Sequence, residues 1–566
     1  MRFVPALVVV CLGSLFSARA DEVAMLPIGD PARAFITASG NAGEFIDCRD
    51  VSGKGPVSFE AMIGELAKAD VVLIGEHHTN IAGHRVEHRI FEALAETGRP
   101  LILGMEFFES QDDGALGRYV AGTIDLKEML VETNWYGPGG TNYNFNYYRP
   151  MVEKAREKKF AVHGVNVPRE LLRSVSKKGY ADVEADQARL IPDPGAVNEK
   201  HRYVIDRMMS GMAATMPSMF DSMYRGQTMW DSAMAASVLR LREAAGPTKP
   251  IIVVIVGVGH VGHGLGIPAR LRAADPALEV RVVAPVLAEK PEDDARVHPG
   301  VVLKETGTFS RGFADYVCVL PDTDGELAYP QFGLRLAKGA ATASPASPAS
   351  PGSGGSGASQ GTSDSPALPG VELAVVTPGG IAERAGLRKG DRLVSIDGAA
   401  VTSVDEGAIL LSGLGWDDVS QFRVIRGGGA GASGAIESVV AVAVLPPTDG
   451  DDDWLKSRAE SSLLDSFDPT GQQAYTKPGK DKPKGIHSRL VTFDKKPVRI
   501  DVMNGTVLMQ SWKLDDTGRP TLGIFPIAAA DGAVRVQLTR DETGKVTGQK
   551  RWNGMGEEVG LPSVKK

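Results

Sequence analysis

The chain has 566 residues, with 62 Lys and Arg against 70 Asp and Glu and a net charge of −8. That balance, with no long basic run, speaks against nucleic acid as a main partner. Hydrophobic residues at 43% and charged ones at 23% are ordinary globular composition, and the length exceeds what one core supports, so about three domains are expected.

Residues 1–20 read as an export signal: Arg2 supplies the positive start, "FVPALVVVCLGSLF" the apolar stretch, and Ala18-Arg19-Ala20 the small-residue cleavage pattern. Cys11 lacks the small preceding residue of a lipoprotein cysteine. No later stretch is apolar for the 18 or more residues of a membrane span. The expectation is a protein exported to the periplasm or cell envelope, with no membrane span after cleavage near Ala20. Cys48 and Cys318 are then its two cysteines, and a disulfide and two free buried thiols both remain open.

The next part alternates short apolar runs with helical patterns. "VVLIG" (71–75), "LILGME" (101–106), "FAVHGV" (160–165), "IIVVIVG" (251–257) and "VRVVAPV" (280–286) read as strands buried on both faces, and Ile81 to Glu96 as a helix. This predicts an α/β domain over 45–335, a mainly parallel sheet flanked by helices. Ligands of such sheets sit beyond the carboxyl ends of the strands. There the first run ends in Glu76, His77 and His78, another in Gly257, Gly259, His260 and His263, and a third in Glu106. Both histidine corners read Gly-x-x-His, Gly75 to His78 and Gly257 to His260, with the glycine expected to let the backbone turn tightly. Imidazoles and carboxylates converging from separate strands are what a metal site or an acid–base pair requires.

Two further patterns stand nearby. His84-Arg85-Val86-Glu87-His88 matches a zinc-peptidase spacing, but that motif belongs to another fold, and a surface helix with chance histidines accounts for it better, leaving His84 alone as a candidate pocket residue. "MMSGMAATMPSMFDSMYRGQTMWDSAMA" holds eight of the 17 methionines, with Met208, Met212, Met216, Met219 and Met223 at helical spacing and Pro217 interrupting. Core packing is the first expectation, an adaptable apolar wall the second and copper(I) binding the third.

Residues 338–366 have no aromatic or large aliphatic residue between Ala340 and Pro366 and read as a flexible tether. Residues 367–447 give strand, turn, short helix, strand, turn and longer helix. Residues 451–566 carry "DPTG", "DDTG" and "DETG" at 468, 515 and 541 between strand-like segments, which predicts a small antiparallel β domain of unassigned role.

The segments "VVLIGEHHTNIAGHR", "LILGMEFFE", "NYNFNYYRPMVEKAREKKFAVHGVNVPREL", "GQTMWDSAMA" and "IVGVGHVGHGLGIP" resemble the ChaN family of haem-binding uptake proteins, within the Tiki/TraB superfamily. The resemblance implies binding of haem or iron. It places the paired Gly-x-x-His signature on His78 and His260, the strand-end glutamates on Glu76 and Glu106, and Arg149 in the Tyr-Arg-Pro segment. It also implies tyrosine ligation, for which Tyr136, Tyr143, Tyr147 and Tyr148 crowd one loop, and it adds His77, His84 and His263 as cofactor-binding candidates. Superfamily relatives include metal-dependent peptidases and esterases. The alternative is therefore a hydrolase in which Glu76, His78 and His260 hold Mn, Zn or Co while Glu76 and Glu106 are catalytic, Glu76 taking a proton from bound water.

"PGVELAVVTPGGIAERAGLRKGDRLVSIDG" resembles a PDZ domain of envelope proteases. That implies capture of an extended peptide or a protein C-terminus, with Leu368, Gly370 and Val371 in the carboxylate-binding loop and Leu373 and Val375 on the strand to which peptide adds. The helix near Asp405 to Leu414 would form the other wall, and Pro369 brings no amide donor to the loop. A second copy of the chain is a further candidate partner.

Overall fold

Each apolar run of the first region becomes a strand, and strands with aliphatic residues on both faces end up in the middle of the sheet. The computed structural model describes Arg33 and residues 36–288, 306–321, 328–337, 369–444, 459–471, 485–525, 533–553 and 558–559, less short gaps at 51, 53–54, 138–139, 142, 179, 181–183, 417, 427–435, 465, 494–495, 506 and 516. The expected signal at 1–20, the low-complexity stretch at 338–366 and Leu368 lie outside the described residues. The chain divides into two compact units, one of residues 1–133 with 145–325 and the other of residues 134–144 with 326–566.

The first unit is α/β. Its sheet contains β1 (Phe45–Asp47), β2 (Pro56–Val57), β3 (Val71–Glu76), β4 (Leu101–Glu109), β5 (Ala161–Asn166), β6 (Ile251–Gly257), β7 (Val280–Leu287) and β8 (Tyr316–Leu320), in the order β2-β1-β8-β7-β3-β6-β4-β5. Pairing is parallel from β8 through to β5 and antiparallel only at the β1 and β2 edge. Every residue of β3 and β6 is buried, so helices cover both faces there. The helices α1 (Ile81–Ala95), α2 (Arg149–Lys158) and α3 (Pro217–Ala245) supply or support site residues. In the β3–β6 register Glu76 lies opposite Gly257, which sets the two predicted corners side by side at one rim.

Cys48 and Cys318 are both free and buried. In the β1–β8 register Cys318 faces Phe45, so Cys48 is three positions further along, roughly 10 Å at strand spacing and beyond disulfide reach.

The second unit holds two β structures. The PDZ sheet runs β9 (Leu334–Leu336), β10 (Val371–Val376), β11 (Arg392–Ile396), β12 (Val419–Arg426) and β13 (Ile436–Ala443) in chain order, with α4 (Val404–Ser412) packed on it. Two sequence expectations change here. Leu334–Leu336 belongs to this sheet and not to the α/β domain that was expected to run to 335. The low-complexity stretch therefore joins two paired strands of one sheet instead of tethering two domains. The strand expected to accept peptide, β10, also has both edges occupied, by β9 and by β11. Leu373 and Val371 are core residues, Gly370 is packed against the backbone of Leu393, and Val375 is paired with Arg335. None of these residues stands at an open edge.

The last region is an antiparallel meander of seven strands, from Ala459–Leu464 to Val546–Asn553. The three Asp-x-Thr-Gly turns share one chemistry: Asp468, Asp515 and Asp541 each accept from the backbone N–H and the hydroxyl of the threonine two residues on.

Candidate functional site

The rim is built from three adjacent strand ends, those of β3, β6 and β4. The glycines of the two Gly-x-x-His corners act through space and not through a turn, since neither Gly75 nor Gly257 is among the residues with positive φ. A Cβ at Gly75 would crowd Val258 and Val261 at 3.1–3.3 Å, and one at Gly257 would lie 3.0 Å from Cε1 of His78. Glycine at 257 thus makes room for the imidazole of the other corner.

At the β3 corner, Glu76 is buried, and its Oε1 accepts from Nδ1 of His78 at 2.5 Å and from the Tyr148 hydroxyl at 3.1 Å. The His78 side chain is 36% exposed and stands edge-on to Phe107, with ring centroids 5.2 Å apart. The turn into α1 is fixed by Asn80, whose side chain caps the helix by accepting from the Gly83 N–H. One turn further, His84 and Glu87 are buried at 2% and 1% exposure, with Nδ1 of His84 3.0 Å from Oε2 of Glu87 and 3.9 Å from Oε2 of Glu76. Among the described residues, Glu76, His84 and Glu87 form a group of three whose ligand atoms all lie within 4.8 Å of one another. The expected surface helix with chance histidines is therefore corrected: α1 turns His84 and Glu87 inward, and His88 takes no part in the group. Burial pushes the Glu76 carboxyl up, against the hydrogen bond from His78. Burial also opposes charge on His84, but Glu87 and Glu76 outweigh it and raise its pKa.

At the β6 corner, His260 is 7% exposed and enclosed by partners. Its Nδ1 is 2.6 Å from Oδ1 of Asp231 and 2.8 Å from the side-chain amide of Gln227, and its Nε2 is 3.4 Å from Oε1 of Glu106. Burial works against the imidazolium, yet Glu106 and Asp231 raise its pKa to about 10. Glu106 accepts the Gly257 N–H at 2.6 Å and stands between the two imidazoles. Asp231, fully buried on α3, also lies 3.6 Å from His201 and from Arg270. Trp230 packs edge-on to His260 while 37% exposed, and a Cβ at Gly259 would touch Met208.

The other candidates scatter. Tyr148 is fully buried with its hydroxyl on Glu76, and Tyr147 is buried against the His84 ring at 4.6 Å. Tyr136 and Tyr143 lie in the 134–144 segment of the second unit, where the Tyr143 carbonyl accepts from the Trp135 indole. Arg149 is half exposed and pairs with Glu153 on its own helix. His77 is partly buried, and burial lowers its pKa. His263 packs on Phe313 and lines a separate cavity with Arg33, Arg272 and Asp315, and burial lowers its pKa to about 4. Of the methionines, Met208, Met216, Met219 and Met223 are 39–54% exposed, so core packing does not describe them. Asp231 and Gln227 were missed because one acid and one amide on a helix carry no spacing signal. Only the fold brings α3 over β6.

These features define an α/β domain with an acid- and imidazole-lined strand-end rim, followed by a PDZ fold and a β meander. Residues 62–271 match the family described as haem-binding uptake, Tiki superfamily, ChaN, and residues 372–414 match the PDZ domain family. The chain thus carries a ChaN-like domain of the Tiki superfamily and a PDZ domain. Among solved structures it is similar to ChaN of Campylobacter jejuni with cofacial haem (20% identity, 48% of this chain and 95% of that one, TM-score 0.36). It is also similar to the type III effector HopBA1 (14%, 46% and 92%, TM-score 0.26) and to a mutant erythromycin esterase EreC in its open conformation (13%, 44% and 78%, TM-score 0.25). No curated protein matches the chain. No helix among the described residues is long and apolar enough to cross a membrane.

Proposed function

We propose that the ChaN-like domain binds haem at the strand-end rim, with His78 as the axial ligand, in a protein exported to the cell envelope whose PDZ domain holds an extended peptide. The observation that carries the haem reading is the half-open imidazole of His78: its Nδ1 is anchored on Glu76, an aromatic edge flanks it at Phe107, and the missing Cβ of Gly257 leaves it space. The donor set fits one axial nitrogen, and the carboxylate on Nδ1 would raise the basicity of that ligand. Trp230 and Met208, exposed beside the second corner, offer the apolar surface a flat ring needs. The buried tyrosines fit less well, because the hydroxyl of Tyr148 is committed to Glu76. Bound haem would supply an iron centre, and the chain's part is to orient His78 and shield the ring from water.

Among the described residues the end strands of the PDZ sheet are β9 and β13, with β10 inside, and we place the peptide on β9. Leu334 and exposed Arg335 lie on it, and α4 packs over Leu336 closely enough that a Cβ at Gly407 would sit 2.4 Å from Cδ1 of Leu336. Gly333, at φ +65°, shapes the loop before this strand. A peptide would add there as a further strand. Export rests on the sequence of residues 1–20.

The test is hemin titration of the full chain. A shifted Soret band that His78→Ala weakens at least about tenfold, with Tyr147→Phe near parent, is the expected result. Loss with Tyr147→Phe but not His78→Ala would move the ligand, and no hemin uptake at all would end the reading.

A further inference from the structure

We propose that Glu76, His84 and Glu87 bind one divalent first-row transition cation beneath the rim, a site separate from the haem ligand His78 and independent of the haem reading. Three observations carry it. The first is a set of three buried potential ligand atoms within 4.8 Å of one another. Nε2 of His84 lies 3.1 Å from the backbone carbonyl of His78, and a carbonyl can only accept, so Nε2 carries the ring proton. In the neutral ring, Nδ1 then presents a lone pair toward Oε2 of Glu87 at 3.0 Å and Oε2 of Glu76 at 3.9 Å. In that tautomer the three atoms converge as ligands for a cation, the alternative being a proton on Nδ1 shared with Glu87.

The second observation is unmet polar demand. Oε2 of Glu76 and Oε1 of Glu87 are buried without a hydrogen-bond partner, in side chains that are about 1% exposed. A cation placed among these atoms would give each orphaned oxygen a partner that no side chain supplies. A buried carboxylate oxygen without a partner is the costlier state.

The third is scale and support. Bonds of about 2.1 Å to a tetrahedral ion separate its ligands by roughly 3.4 Å, and the distances of 3.0 and 3.9 Å from Nδ1 straddle that value. One imidazole with two carboxylates suits Zn²⁺ or Mn²⁺. The groups that orient such ligands are present: the His78 carbonyl fixes the His84 tautomer, and the Tyr148 hydroxyl and His78 imidazole hold the other oxygen of Glu76.

Metal content of the full chain, as isolated and after equilibration with Zn²⁺ or Mn²⁺ and gel filtration, tests the proposal. We expect about one ion per chain in the parent. Glu87→Gln, nearly isosteric, should weaken binding by at least about 100-fold and lose the metal-induced rise in melting temperature, while still taking up hemin as the parent does. A parent with less than about a tenth of an ion in both preparations overturns the site and shows that a proton on His84 fills the gap. Metal retained in Glu87→Gln also overturns it. Failure of hemin binding leaves this result untouched, so the two readings fail separately.

Discussion

The two histidine corners of the rim look alike in sequence and differ in their electrostatics. His260 is saturated: Asp231 and Gln227 hold one ring nitrogen, Glu106 faces the other, and the side chain is almost closed to solvent. The β3 corner keeps buried oxygens without partners. Two buried carboxylates, Glu76 and Glu87, share His84, and an oxygen of each has no partner, while His78 reaches outward. A repeated Gly-x-x-His motif thus gives one structural clamp and one corner with capacity left over. Binding should concentrate at the second.

The comparison breaks first at Asp231. Removing it takes a buried counter-charge from both His260 and Arg270, so Asp231→Ala should cost roughly 3–5 kcal/mol in chemical denaturation followed by near-UV circular dichroism. Glu87→Gln, measured the same way without metal, should stay within about 1 kcal/mol of the parent, because it removes a charge from a group with too many. Equal losses at both sites would mean that the corners are not different in kind. A smaller effect is expected at Gly257→Ala. The new methyl meets His78 at 3.0 Å and Glu106 at 3.5 Å, which should cost about 1–3 kcal/mol and weaken hemin uptake by moving His78. Unchanged stability and uptake would show that the two corners are not in contact.

Much of this was legible and some could not be. The runs at 71–75, 251–257 and 280–286 became β3, β6 and β7 almost to the residue, because strands buried on both faces must be apolar throughout. That Glu76 and His260 share a rim followed from strand ends alone. The inward face of α1 was harder to read. His84 and Glu87 sit one turn apart, a spacing equally at home on a solvated helix, and only the packing of Tyr147 and Tyr148 against His84 turns that face in. The PDZ edge was hidden for another reason. Leu334–Leu336 is three residues long, too short for any periodicity, and 34 positions of sequence separate Leu336 from its partner strand at Val371.

A third buried carboxylate, in the PDZ domain, shows what a satisfied acid does with pH and so calibrates the β3 corner. Asp391 is 2% exposed; burial raises its pKa, but hydrogen bonds from the Arg426 guanidinium and the Arg388 N–H prevail, so it lies below the ordinary 3.8. A depressed carboxyl pKa stabilises the fold above its unfolded value and loses that contribution as pH falls through the folded one. Arg426 is 34% exposed, so screening limits the pair to about 1 kcal/mol. Arg426→Met should therefore reduce protection of the β11 amides in hydrogen exchange by that amount near pH 6. The gap between variant and parent should close as pH drops below 3.8. A gap that does not narrow at all as pH falls below 3.8 would mean that Arg426 acts by packing its stem and not by charge, and Asp391 would then be no reference for the unpaired oxygens of Glu76 and Glu87.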